Sequence, residues 1–385
     1  MKLLIVSQYG LSSPAHLKIF QEFSKNNFVK EILVLVPKFI KVDKVYNPKG
    51  FVKAQKIEFE DKKGKIIPVS FIKGGINFFS VFYNILKFKP DVIFVLNEAF
   101  SKDIFWTSLA NIFVKIIYFW RKKSKIYFYG FENINKYYTE YTLLQKIITQ
   151  FIKKTVDYGI VCTSEAFKIL NEVNWYPKTK KIFWGVPLEI YQKDISQQEI
   201  LNLKQKLNIS ESQKVIGYVG RFIEEKGIKD LVRAFLKLDL EAVLIFIGDG
   251  PLRNYLEEIS KNHKNIIVLP AQKSEDLAYY YKLMDILVLP SKTTKSWKEQ
   301  YGRVLIEAIA CGTKLIGSNS GAIPEVIGDC GTIFKEGDTD DLKNSLIKEL
   351  NIKRDKNKLL QRAKLGSVEN FVKESLEFFK ENQNL

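Results

Sequence analysis

Two glutamates eight residues apart, Glu299 and Glu307, anchor the sharpest constellation of potentially reactive side chains in this sequence. They lie in the run Trp297-Lys298-Glu299-Gln300-Tyr301-Gly302-Arg303-Val304-Leu305-Ile306-Glu307, which Pro290-Ser291 precedes and Gly312 follows. The glycines bracket an apolar segment, so the pattern predicts a helix from near Gly302 to Gly312, with Glu307 on it and Glu299 in the preceding loop. The first N–H groups of a helix have no intrahelical acceptor. Those of Gly302, Arg303 and Val304 therefore suit a diphosphate or carbohydrate oxygens, and a nearby carboxylate can hold sugar or ribose hydroxyls. A second acidic run, Asp338-Thr339-Asp340-Asp341, has the spacing of a metal-binding D-x-D. It follows Gly337 and opens the amphipathic Leu342–Leu350 segment, where an N-cap and first-turn acids account for it. With two histidines, His16 and His263, and three dispersed cysteines, Cys162, Cys311 and Cys330, neither a metal cluster nor a disulfide framework is expected, and a reducing compartment fits.

Around these residues, apolar runs of strand length alternate with helix-length amphipathic segments, the pattern of βαβ units. In the first half the runs are Leu3–Ser7, Glu31–Val36, Ile66–Ser70, Val92–Leu96, Ile126–Phe128, Gly159–Val161 and Ile182–Trp184. The second set comprises Val215–Val219, Ala242–Ile247, Ile266–Leu269, Ile286–Leu289, Leu315–Ser318 and Thr332–Phe334. Between the sets Glu189 to Ser212 is polar. Near-continuous apolar strands imply sheets covered on both faces, so the expectation is two doubly wound, Rossmann-like α/β domains, 1–188 and 189–366, facing each other across a cleft, with ligands beyond the carboxyl ends of the strands. Met1-Lys2 and the short run after it read as a first strand, not a secretion signal.

The 385 residues carry a formal net charge of +17, and it is unevenly placed. Residues 1–190 hold 30 Lys+Arg against 15 Asp+Glu, whereas 191–385 hold 30 against 28. A one-sided excess implies that the first domain faces something anionic: nucleic acid, an anionic membrane or an acidic substrate. Asp103–Trp120 is apolar and aromatic, and Arg121-Lys122-Lys123-Ser124-Lys125 follows it. It is too polar for a comfortable membrane span and reads either as a helix between two strands, its last turn carrying cations that suit the dipole, or as a membrane-surface segment. In Phe78–Lys89, aromatic and apolar residues recur at helical spacing, a pattern that usually marks a core-facing helix.

These residues resemble the retaining GT-B glycosyltransferases of the group 1 type. Glu299 and Glu307 match that family's E-x7-E, Gly220-Arg221 through Lys226-Gly227 its G-R-x4-K-G loop, and Gly248-Asp249-Gly250-Pro251-Leu252 its G-x-G-P-L turn. The resemblance covers most of residues 215–330. It implies a metal-independent hexosyltransferase with no cofactor, taking a UDP- or GDP-linked sugar. Arg221 and Lys226 would stabilise charge building on the leaving diphosphate, with Glu299 beside them as a catalytic residue. Gly220, Gly248, Gln300, Tyr301, Gly302, Arg303 and Val304 would line the donor site, Glu307 would hold the ribose, and the base would lie near Gln272.

The first domain departs from the family pattern. The loop after the first strand offers one glycine, Gly10, where many relatives have two; it would let the backbone approach the donor phosphates. Gly130-Phe131-Glu132-Asn133 stands where many have a histidine, so Glu132 or Asn133 would meet the transferred sugar. Glu98, at another strand end, and His16, in the first turn of a helix begun by Pro14, complete the acceptor-side candidates. The resemblance further implies retention by front-face attack and a final helix, within 367–385, that crosses back to the first domain. The acceptor expected is a saccharide or lipid-linked saccharide of the cell envelope. The site of action expected is the cytoplasm, peripheral on the inner face of an anionic membrane. A sugar-nucleotide epimerase shares the architecture and remains a rival. A nucleic-acid-binding role would use the basic half, but no recognised motif accompanies it, and no nucleic acid is expected.

Overall fold

A computed structural model describes residues 1–8, 10, 14–41, 51–61, 63–72, 75–119, 124–134, 142–175 and 177–382. The basic run Arg121 to Lys123 and most of the loop between Gln8 and Pro14 lie outside the described residues. The chain divides into two compact units, Met1–Gly185 with Val368–Leu385, and Val186–Ser367.

Unit 1 begins with β1 (Lys2–Ser7), α1 (Pro14–Lys25), β2 (Glu31–Pro37), β3 (Phe39–Lys41), β4 (Phe51–Lys53), β5 (Ile57–Glu58), β6 (Gly64–Val69), β7 (Phe71–Ile72) and β8 (Gly75–Ile76). It continues with α2 (Phe78–Phe88), β9 (Val92–Leu96), α3 (Lys102–Ile117), β10 (Lys125–Gly130), α4 (Leu143–Thr155), β11 (Tyr158–Val161), α5 (Ser164–Glu172) and β12 (Thr179–Lys181). Its main sheet has the order β12-β11-β10-β9-β1-β2-β6-β5, parallel apart from the antiparallel edge pair β5–β6. The order reverses between β1 and β9, which pair directly. Every residue of β9 is buried, as an apolar run covered on both faces requires.

Unit 2 contains α6 (Gln197–Lys206), β13 (Lys214–Val219), α7 (Ile228–Leu236), β14 (Ala242–Ile247), α8 (Arg253–Asn262), β15 (Ile266–Leu269), α9 (Ser274–Leu283) and β16 (Ile286–Leu289). After these come α10 (Arg303–Ala310), β17 (Lys314–Ser318), α11 (Ile323–Ile327), β18 (Gly331–Phe334), α12 (Thr339–Asn351) and α13 (Lys356–Leu365). Its all-parallel sheet, β15-β14-β13-β16-β17-β18, is doubly wound with its switch point between β13 and β16. The last helix, α14 (Val368–Glu381), belongs to unit 1, where Phe379 packs on Phe94 and Tyr127 with ring centroids 5.3 and 4.5 Å apart.

Two sequence expectations need correction. Ile182–Trp184 is not a strand: the outer ladder partner of β11 is the polar Thr179–Lys181. The apolar character of Ile182–Trp184 comes instead from Trp184, whose ring sits 5.2 Å from those of Tyr129 and Phe371. The strand expected at Ile66–Ser70 runs from Gly64 to Val69. Among the described residues, no helix is long and apolar enough to cross a membrane.

Candidate functional site

The switch point of unit 2 gathers most of the donor-side candidates. Beyond β13 the chain passes through Gly220 and Arg221 into a single 3-10 turn, Glu224–Lys226, and leaves it at Gly227 with φ 65°. A Cβ there would stand 1.9 Å from the Pro290 carbonyl oxygen, so glycine is what lets the β13 and β16 loops touch. The Lys292 N–H donates to the Glu225 carbonyl at 2.7 Å across the same contact.

That approach brings the charged groups together. The Lys226 ammonium donates to Glu299 Oε2 at 2.5 Å, and Ser291 Oγ donates to the same oxygen at 2.8 Å. Only 13% of the Lys226 and 9% of the Glu299 side chain is exposed, and the ammonium also lies 5.2 Å from the centre of the Trp297 ring. A charge pair withdrawn from water in this way has a fixed geometry, because neither partner can be rehydrated cheaply. Arg221, by contrast, is exposed and makes no ion pair among the described residues; Glu224 pairs with Lys229 at 2.6 Å instead. The Arg221 carbonyl is held by the buried Tyr218 hydroxyl at 2.7 Å. Burial, then the charge of Glu299, raises that phenol and keeps it a donor.

Gly302, with φ 75°, caps α10 without a side-chain hydrogen bond, and the Leu305 N–H returns to its carbonyl at 2.8 Å. Glu307 is buried one turn in. Its Oε2 accepts from the Tyr281 hydroxyl at 2.7 Å and its Oε1 from Arg303 Nε at 2.9 Å. Tyr191 also bonds it, and burial followed by the Glu307 charge raises both phenols, so they stay protonated. Glu307 therefore acts as a fixed acceptor. Gln300 is exposed, Tyr301 buried and Val304 half-buried.

Gly220 and Gly248 follow the adjacent strands β13 and β14, and the Gly248 carbonyl accepts from Arg253 at 2.7 Å. Gln272 follows β15 at the sheet edge, and its amide donates to the Pro270 carbonyl at 3.0 Å. The Asp338 run is a helix cap, the Asp338 carboxylate accepting from the N–H groups of Asp340 and Asp341. Sequence reasoning missed Tyr191, Tyr218, Tyr281 and Ser291 as partners. Only Ser291, adjoining Pro290, carried a local signal.

In unit 1 the candidates assemble at its own switch point. The Gly10 N–H donates to the Ser7 carbonyl at 3.4 Å, and Asn97, at the end of β9, bonds Gln8 at 2.9 Å and the buried Asp103 at 2.8 Å. Glu98 accepts from the Phe131 N–H at 3.0 Å and the Glu132 N–H at 2.9 Å, clamping the chain beyond β10. Burial pushes the Glu98 carboxyl up to about 7, the two backbone donors opposing it. Glu132 caps the Ile134 N–H at 2.9 Å, and Asn133 is fully buried. His16 lies in the first turn of α1 with its ring 5.6 Å from that of Trp184.

Known proteins resemble this chain in sequence and in fold. Residues 199–365 match the family described as Glycosyl transferases group 1. The chain is similar to N-acetyl-alpha-D-glucosaminyl L-malate synthase of Bacillus anthracis, 30% identical over 60% of this chain and 60% of that protein. It is also similar to alpha-monoglucosyldiacylglycerol synthase of Streptococcus pneumoniae, 27% identical over 57% of this chain and 51% of that one. These curated relatives are thus matched over about half to three-fifths of their length. Among solved structures, Anabaena Alr3699/HepE in complex with UDP superposes with a TM-score of 0.72 at 15% identity, covering 99% of this chain and 100% of that one. The chain has the GT-B class of α/β fold, and its residues 199–365 are similar to the group 1 glycosyl transferases.

Proposed function

We propose that this protein transfers a hexose-type sugar from a nucleotide-sugar donor to a saccharide or lipid-linked acceptor of the cell envelope, with retention of configuration. The observation that carries the reading is the buried Lys226–Glu299 pair beside the glycine-capped start of α10, with the fixed acceptor Glu307 one turn behind. A diphosphate at the first N–H groups of α10 gains from their partial positive charge, and the unpaired Arg221 adds a mobile cation for its outer oxygens. Glu307, one turn in, would take the ribose hydroxyls. As the bond from the anomeric carbon to the diphosphate oxygen breaks, Arg221 and Lys226 take up the charge left on that oxygen. The acceptor oxygen would bond the same face of the sugar while the departing phosphate takes its proton, so the step needs no protein base.

Relatives support the substrate classes. Alr3699/HepE is described in complexes with UDP and with UDP-glucose, and two similar proteins are named as an alpha-monoglucosyldiacylglycerol synthase and a sulfoquinovosyl transferase. We therefore assign a UDP-linked sugar as donor and a membrane-borne acceptor, reached from the cytoplasmic side.

The test is a thermal-shift screen against nucleoside diphosphates and nucleotide sugars in EDTA, followed by transfer assays of Arg221→Ala. A selective UDP shift is expected, because ligand bound to the folded state raises its stability. Arg221→Ala, whose side chain makes no ion pair, is expected to keep its melting temperature and lose transfer. Silence toward every nucleotide, or full transfer by the variant, rejects the reading. Conversion of the sugar nucleotide without any acceptor assigns the epimerase instead.

A further inference from the structure

We infer that the outer surface of α2, α3 and α4 is a docking face for an anionic lipid bilayer. The inference rests on the membrane-borne acceptor proposed above and names the residues that reach that membrane. All three helices cover one face of the unit 1 sheet, where Val81, Ile85, Ile104, Val114 and Ile152 share one core cluster with Leu4, Ile93 and Ile126. They lie side by side: the Phe78 ring is 5.7 Å from Phe113, and Phe105 is 5.5 Å from Phe151. Their inward faces are thereby satisfied, yet their outward faces expose large apolar side chains among lysines.

On α2 the exposed positions Phe79, Tyr83 and Lys87 recur every four residues, with Phe79 75% and Tyr83 55% exposed. The Lys87 ammonium sits 5.7 Å from the Tyr83 ring centre. The end of α3 exposes Ile116 at 67% and Ile117 at 50%, and Phe119 just beyond it at 80%. The first turns of α4 expose Leu143, Leu144 and Ile147 at 76%, 66% and 58%, and the only fully buried residue of that helix is Ile152. Adjacent exposed apolar side chains on this scale mark a contact surface.

Charge selects the occupant. The three helices carry Lys87, Lys102, Lys115, Lys146, Lys153 and Lys154. Their one acid, Asp103, is buried and accepts from the Ile76 N–H and Asn97. Lys153 is turned inward to the Val173 carbonyl, and Lys87, Lys115, Lys146 and Lys154 are exposed among the apolar residues. A second copy docked through the same face would set lysine against lysine. Nucleic acid would pair the lysines but leave the isoleucines and leucines of α3 and α4 without an apolar environment. An anionic bilayer satisfies both sets, headgroup phosphates meeting the ammonium groups while the aromatic and aliphatic side chains enter the acyl boundary.

The experiment is sedimentation of the full chain with phosphatidylglycerol-rich or pure phosphatidylcholine vesicles, using Leu144→Ser/Ile147→Ser and Lys115→Gln/Lys146→Gln. All four positions are exposed, so melting temperatures and UDP thermal shifts should match the parent. The parent is expected to pellet with the anionic vesicles only and to release as salt rises. Each double variant is expected to bind about tenfold more weakly or worse. Failure to pellet, equal pelleting with neutral vesicles, or a parent dimer that Leu144→Ser/Ile147→Ser dissociates overturns the inference. The UDP shift is read on the same samples, so a failed donor site is seen separately from a failed docking face.

Discussion

Lys226 and Glu299 face each other at 2.5 Å with little of either exposed, so a single substitution there mixes stability with function. Lys226→Met strands a buried carboxylate and is expected to cost about 3 kcal/mol of stability as well as transfer. The double variant Lys226→Met/Glu299→Leu should regain most of that stability in urea unfolding and none of the transfer; recovery of transfer would make the pair a structural strut. Glu98 makes a different prediction. Its carboxyl is raised from 4.5 to about 7, chiefly by burial. Between those values the folded chain holds a proton that the unfolded chain has released, so stability falls as pH rises through that window and levels above it. Glu98→Gln should flatten that slope in denaturant unfolding, leaving the smaller contributions of Asp103 and Glu132, which burial shifts the same way. An unchanged slope would place the titration elsewhere. The paired glutamates and the Arg221–Lys226 loop were legible because their spacing is local. Tyr281 meets Glu307 from 26 positions away and Ser291 meets Glu299 across a loop, so only the folded chain shows that both carboxylates are held.

Elements position these residues through two backbone devices, the glycine turns before α7 and α10. Gly302→Ala would force a side chain into φ 75°, with its Cβ 2.9 Å from Leu289 and 3.0 Å from Leu305. The expected cost is about 1–2 kcal/mol, and the rotated first turn should also weaken UDP binding. Calorimetric titration at a temperature where the variant is folded checks this; lost stability with unchanged affinity would move the diphosphate away from α10. The strands around these turns were legible in proportion to their burial. β9 and β14 are buried at every position, which writes them as unbroken apolar runs. The edge ladders were not. β5 is two residues, and β12 is Thr-Lys-Lys, because an edge strand half in water needs no apolar pattern. Trp184 shows the converse, an apolar residue made by aromatic packing with no strand around it.

At the scale of the whole molecule, the chain leaves unit 1 after Gly185 and returns at Val368, and unit 2 closes at its two ends by the Val186 N–H donating to the Gly366 carbonyl at 2.8 Å. Unit 2 is therefore one continuous stretch, while unit 1 is completed only by α14, the last helix described. Phe371 and Phe379 on that helix are fully buried, with Phe379 against Phe94 and Tyr127 on the strands and Phe23 on α1. Phe379→Ala removes a ring from the centre of that layer and is expected to cost about 3–5 kcal/mol, charged to unit 1 alone. UDP bound at the switch point of unit 2 should act on the other core, since only a state that binds ligand is stabilised by it. Hydrogen exchange read peptide by peptide separates the two. Phe379→Ala should lower protection across β1, β9 and β10 and leave β13 and β14 unchanged, and UDP should raise protection at β13, β16 and α10 in both parent and variant. Equal loss of protection in both units would show that their cores unfold as one.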